Sequence, residues 1–184
     1  MKKMMMIAAM MLMSIGAFAQ SNVYIKPMVG GTLATLVGKD ADDYSKMKLG
    51  LAVGGELGYN FAENMALTAG VLYSMQGSGL DDSDENLNMD YLNIPILFNY
   101  YVAPGLAIKA GVQPGFLLSS KVDDVDVKDS NETFDLSIPL GLSYEISDFV
   151  IDARYNFGVT NVVKHDVKAR NSVIMLTLGY KIPL

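Results

Sequence analysis

Five charged residues stand among small or uncharged neighbours: Glu56, Lys109, Asp135, Asp152 and Arg154. Brought together away from water they would form an ionic network, because an unpaired buried charge costs several kcal/mol. Such a network can fill and stiffen an interior, or line a path for ions or protons. Arg154 with Glu56 or Asp152 is its natural centre. Two acidic runs offer a second chemistry: Asp81, Asp82, Asp84 and Glu85, then Asp123, Asp124, Asp126 and Asp129. Carboxylate oxygens can hold Ca²⁺. Neither run carries the glycine and closing glutamate of the calcium-binding loop, so solvated loops are the simpler reading. The single histidine, His165, lies between Lys164 and Asp166. General-base and nucleophilic chemistry usually recruits a histidine, but no second motif supports this one. With no cysteine in the chain, disulfides, thiolate metal sites and acylation on cysteine are excluded. No catalytic, cofactor-binding or metal-ligating residue is assigned, and the ionic set is the candidate site.

The elements that must position this set are strands. Residues 48–61 alternate strictly: Leu49, Leu51, Val53, Leu57, Tyr59 and Phe61 share one parity, while Lys48, Gly50, Ala52, Gly54, Glu56, Gly58 and Asn60 share the other. Side chains of a strand point to opposite faces in turn, so one face is large and apolar and the other small or polar. Seven further segments repeat the pattern, around residues 23–36, 64–76, 91–100, 106–118, 134–144, 149–158 and 174–182. The five charged residues all fall on the small, polar face, as do Lys26 and Lys48. Gly50, Gly54 and Gly58 also share that face, so their G-x-x-x-G spacing reads as packing within an interior, not as a membrane-helix dimer motif. Pro114 and Pro139 sit mid-strand, where a missing N–H predicts bulges or breaks.

Segments of this kind, roughly 10–14 residues each, are long enough for a tilted membrane-spanning strand, which needs about 9–11. Connections alternate without exception. Residues 60–64, 102–105 and 145–148 are tight turns; 38–46, 77–88, 119–132 and 160–170 are long. This is the rhythm of an eight-stranded antiparallel up-and-down transmembrane β-barrel, with short periplasmic turns and long extracellular loops. A soluble barrel would put the large apolar residues inside, but an eight-stranded interior has just enough room for side chains, and Gly, Ala, Ser and Asn fit it better. Tyr59, Phe61, Tyr100, Tyr144, Phe149 and Tyr180 gather near the short-turn end, and Tyr73, Phe116, Phe134 and Phe157 near the other. They predict aromatic girdles at the two membrane interfaces.

The N-terminus carries Lys2 and Lys3, an apolar run from Met4 to Met13, and Ala17-Phe18-Ala19 before Gln20. This is the pattern of a secretory signal peptide over residues 1–19, cleaved between Ala19 and Gln20, leaving one domain over residues 20–184. Lys2 and Lys3 account for two of the 14 basic residues, so 12 remain against 20 acidic ones, a formal charge of −8. An acidic chain excludes nucleic acid as a partner class. Mean hydropathy is +0.25, with no apolar run after Ala19 long enough for a membrane helix. The expected partners are outer-membrane lipid and a periplasmic or surface protein, and the expected state is a monomer.

Three segments resemble the PorT-like outer-membrane β-barrel family of Bacteroidetes. Tyr91-Leu92-Asn93-Ile94-Pro95 is similar to its "YLxIP" strand and residues 111–119, GVQPGFLLS, to its "GxxxGxLLS" strand. Residues 152–161, DARYNFGVTN, are similar to its "xARYxxGLTN" strand, the most specific of the three. Members often end in an aromatic residue that the barrel-assembly machinery reads, whereas this chain ends Tyr180-Lys181-Ile182-Pro183-Leu184. The resemblance implies an integral outer-membrane barrel. The family's namesake serves type IX protein secretion, and most members have no assigned role. Two functions follow as expectations: a non-enzymatic structural or surface-interaction barrel with a side-chain-filled lumen and long acidic extracellular loops, or an accessory component of protein secretion. A small pore is disfavoured by lumen size.

Overall fold

The computed structural model describes residues 22–38, 45–80, 86–122, 125–127, 131–162 and 169–184, with backbone alone at 45, 80, 86 and 126. The acidic runs fall almost wholly outside these residues, as do residues 1–19, Gln20 and His165. The described residues form twelve strands: β1 (Val23–Val37), β2 (Ser45–Lys46), β3 (Lys48–Ala62), β4 (Met65–Leu80), β5 (Asn86–Asn93), β6 (Ile96–Ala103), β7 (Leu106–Val122), β8 (Val125–Asp126), β9 (Phe134–Ile146), β10 (Phe149–Gly158), β11 (Arg170–Tyr180) and β12 (Ile182–Pro183). The two-residue β2, β8 and β12 are appendages, and β5 and β6 are halves of one stave interrupted at Ile94-Pro95. The wall therefore has eight staves.

All pairings are antiparallel, and β1 closes the ring on β11 from Met28 opposite Gly179 to Val37 opposite Arg170. Closure leaves no spanning edge unpaired, as it must where lipid offers no hydrogen-bond partner. The short turns close at Glu63-Asn64, Pro104-Gly105 and Ser147-Asp148. Gly105 takes φ 77° and Ser147 φ 55°, the left-handed conformations that reverse a strand in two residues.

Alternation becomes an outside and an inside. Leu49 is 76% exposed and Leu51 63%, and the large apolar residues of their parity are exposed on every stave. A continuous apolar wall of this kind has no place in water, and here it faces lipid. Outward aromatics meet in pairs: Phe149 with Tyr180 (5.2 Å between ring centroids) at the short-turn end, Phe116 with Phe134 (5.8 Å) at the other.

The structure corrects three expectations. First, the long connections are shorter than the alternation suggests. β4 runs to Leu80 and β5 begins at Asn86, with Gly77 opposite Asn88 and Ser78 opposite Leu87; β7 likewise runs to Val122. Backbone pairing continues where the outward apolar alternation stops: here polar residues take the outer face while Met89 is buried and Leu87 packs against the buried cluster, so the period-2 signal is lost while the ladder is not. Second, Pro114 causes no bulge and pairs with Leu136. Its carbonyl accepts from Ile94 N–H (2.8 Å), so its missing N–H faces the β5–β6 junction, and the stave breaks there, before Pro95. Beside Pro139 the β7–β9 ladder skips from Ala110–Leu140 to Gln113–Ser137. Third, the inner face is not only small and polar: Tyr24, Met28, Leu72, Met89, Tyr91 and Leu117 are buried inside it.

Candidate functional site

The lumen is filled in layers. At the short-turn mouth Tyr101 OH donates to Glu145 Oε1 (2.6 Å), and Lys181 Nζ meets the same carboxylate at 3.0 and 3.2 Å. That ammonium also lies 4.4 Å from the centroid of the Tyr24 ring, a cation–π contact. A cavity of about 500 Å³ opens outside this group, between Asn22, Asn60, Glu63 and Lys181. Gly58 makes room for Tyr24, since a Cβ there would sit 2.1 Å from the ring. Gly50 and Gly54 are needed for a different reason: neighbouring backbone carbonyls, of Met75 and Val71, occupy their Cβ positions at 2.3 and 2.2 Å.

The next layer is ionic and draws on four staves. Register places Lys26 of β1 directly opposite Glu56 of β3, and Arg154 of β10 opposite Gly141 of β9, which is opposite Lys109 of β7. Arg154 Nε and Nη2 grip Asp152 at 2.6 and 3.0 Å, and Nη2 also pairs with Glu56. Lys109 pairs with Asp152 and lies 3.7 Å from Glu56, while Lys26 lies 2.9 Å from Glu56 and 3.6 Å from Asp152. The stems of Arg154, Glu56 and Lys26 each lie across a glycine of the adjacent strand. A Cβ on Gly141 would sit 3.0 Å from Arg154 Cγ, one on Gly70 2.7 Å from Glu56 Cγ, and one on Gly179 2.9 Å from Lys26 Cγ. The inward glycines thus seat the charged side chains.

Of the five residues singled out by sequence, four meet: Arg154, Asp152, Glu56 and Lys109. Asp135 does not. It accepts from Thr160 Oγ1 (2.7 Å) and Asn171 Nδ2 (3.1 Å). It stands six residues along β9 from Gly141, about 20 Å at the rise of a strand. Lys26 belongs to the cluster too, beyond the five residues that the sequence singles out. Its parity was visible in the sequence; the register that sets it opposite Glu56 was not.

Beyond the ionic layer Met28, Ala52, Leu72 and Met175 pack together. Hydrogen-bonded amides and hydroxyls follow, Asn93 and Gln76 both donating to Ser74 Oγ at 2.7 Å. At the long-loop end Leu36, Met89, Tyr91, Leu117 and Val162 form an apolar plug. The arrangement stiffens the barrel and obstructs it.

Residues 18–164 match a protein-family model described as "outer membrane protein beta-barrel domain", which covers most of the chain. The chain belongs to this family. No curated protein matches the sequence. Among solved structures the barrel is similar to neisserial surface protein A, NspA, with 13% identity, TM-score 0.61, and 88% of this chain covering 98% of that one. It is also similar to Ail, the attachment invasion locus protein of Yersinia pestis, in complex with the heparin analogue sucrose octasulfate: 16% identity, TM-score 0.54, covering 88% and 99% of the two chains. At such identities the likeness is one of fold. An eight-stranded antiparallel barrel of the outer membrane is the shared architecture.

Proposed function

We propose that this outer-membrane barrel is a structural or surface-interaction protein, neither a conduit nor an enzyme. The observation that carries the reading is the lumen, crossed by a buried ionic layer and again by an apolar plug. Function then falls to what projects beyond the wall. We orient the four long connections to the cell exterior, as barrels of this class do, and take the monomer, in contact with lipid, as the working unit. We read residues 1–19 as the export signal, and the PorT-like strand motifs support placing the chain in that branch of the family.

The acidic runs at 81–85 and 123–129 point to a cationic surface partner. Ail was solved with a polyanionic heparin analogue; a chain whose loops carry eight carboxylates in two short runs would repel such a ligand. Replacing those eight residues by Ser and Asn tests this on whole cells. Binding of a cationic protein surface is expected to fall at least tenfold, with the barrel still folded. The secretion role is tested separately, by deleting the gene and profiling exported proteins. An unchanged profile is expected, and a loss of exported proteins would replace the surface reading with the secretory one.

A further inference from the structure

The ionic layer does not balance. Lys26, Lys109 and Arg154 face only Glu56 and Asp152, and their side chains are 1–4% exposed. Neighbouring charged groups do not supply the difference. Lys181 and Glu145 neutralise each other at the mouth, and Asp135 is held far away by Thr160 and Asn171. Among the described residues one buried positive charge thus has no counter-charge, a condition that low-dielectric surroundings penalise heavily.

The polar atoms left over in this layer show what is missing. Arg154 uses Nε and Nη2, but its Nη1 has no partner. Thr177, directly across β10–β11 from Asp152, has a hydroxyl without a partner. It is the diagonal neighbour of Arg154 on the same face, within reach of a long side chain. Asn156, the next inward residue on β10, leaves its amide nitrogen unpartnered as well, together with its oxygen. All three residues are more than nine-tenths buried. Each can donate, and unpartnered N–H and O–H groups beside surplus positive charge are the chemistry of an anion site. An eight-stranded interior leaves space for little more than its own side chains, so the anion must be small.

We propose that the lumen binds one monovalent anion of halide size against Arg154 Nη1 and the Thr177 hydroxyl, as the third counter-charge of Lys26, Lys109 and Arg154. Bromide is the probe. The intact barrel is refolded in detergent micelles, crystallised in bromide and measured at the bromine absorption edge. An anomalous peak is expected inside the lumen, within about 3.5 Å of Arg154 Nη1. Lys109→Met leaves two cations against two carboxylates, and the peak should vanish. In solution, exchanging isethionate for bromide at constant ionic strength should raise the wild-type urea midpoint, since a ligand of the folded state stabilises it; Lys109→Met should show no shift. If that variant does not fold, Thr177→Val, which keeps every ion pair, should show a smaller shift than wild type. A wild-type lumen without a bromide peak overturns the proposal and assigns the balance to a neutral lysine. A peak that survives Lys109→Met overturns it too, as an adventitious ion only.

Discussion

At the scale of single residues, the lumen separates charged groups that need each other from those that do not. Glu56 pairs with Arg154 and Lys26, and truncating it strands two cations. Glu56→Ala should destabilise the barrel by about 3–5 kcal/mol, the usual cost of removing one member of a buried pair, read from the urea midpoint in micelles. Asp135 has neutral partners, and Asn171 Oδ1 is free to accept if its amide turns over. Asp135→Asn should therefore cost about 1 kcal/mol or less, the range of one ordinary hydrogen bond. Equal losses in the two variants would contradict the separation of the two layers. Gly141 provides a third case. A side chain there would meet Ala153 O at 2.4 Å and the stem of Arg154, so Gly141→Val should unseat the guanidinium and lower the refolded fraction on heat-modifiable electrophoresis, with Ala at the same site intermediate.

At the scale of elements, each stave is a two-sided object whose sides obey different rules. Leu176 lies midway along β11, 57% exposed on the outer wall. In a lipid bilayer Leu176→Arg should cost about 2–4 kcal/mol, the penalty for a cation near the midplane. Val125, on the appended β8 beyond the long-loop end, is 66% exposed; the same change there should cost about 0–1 kcal/mol, as near the interfaces. Comparable values at both sites would mean that the outer wall does not lie in lipid as described. The proline-bearing staves show how much of an element is legible beforehand. Pro114 and Pro139 are legible in the sequence as mid-stave prolines, but whether and where a strand breaks depends on the side a proline's missing N–H faces. That is set by pairing partners, so Pro114 is tolerated within β7 and the break appears at Ile94-Pro95 on the neighbouring stave.

At the scale of the whole molecule, closure and filling decide function. The ring shut by β1 on β11 encloses an ionic layer and an apolar plug, so planar-bilayer recordings of the wild-type barrel should show no steady conductance step. A stable ohmic channel would remove the basis for a surface or structural role. The proposed export signal leads to a prediction on the chain's mass as well. The mass of the protein recovered from outer membranes should correspond to a chain beginning at Gln20, whereas retention of residues 1–19 would turn the signal peptide into an anchor.

The sequence by itself determined the strand count, the alternation that assigns each residue to lipid or lumen, and the short–long rhythm of the connections. These are local properties, because a strand's side-chain period is carried by the strand alone. It also placed Glu56, Lys109, Asp152 and Arg154 on the inner face. Tertiary structure decided which inner residues meet, because register between staves depends on the whole ladder, not on any one segment. That register joined Lys26 to the cluster and sent Asp135 to another layer. It laid the long charged stems across glycines 70, 141 and 179. It also left three cations around two carboxylates, an imbalance that no single strand contains.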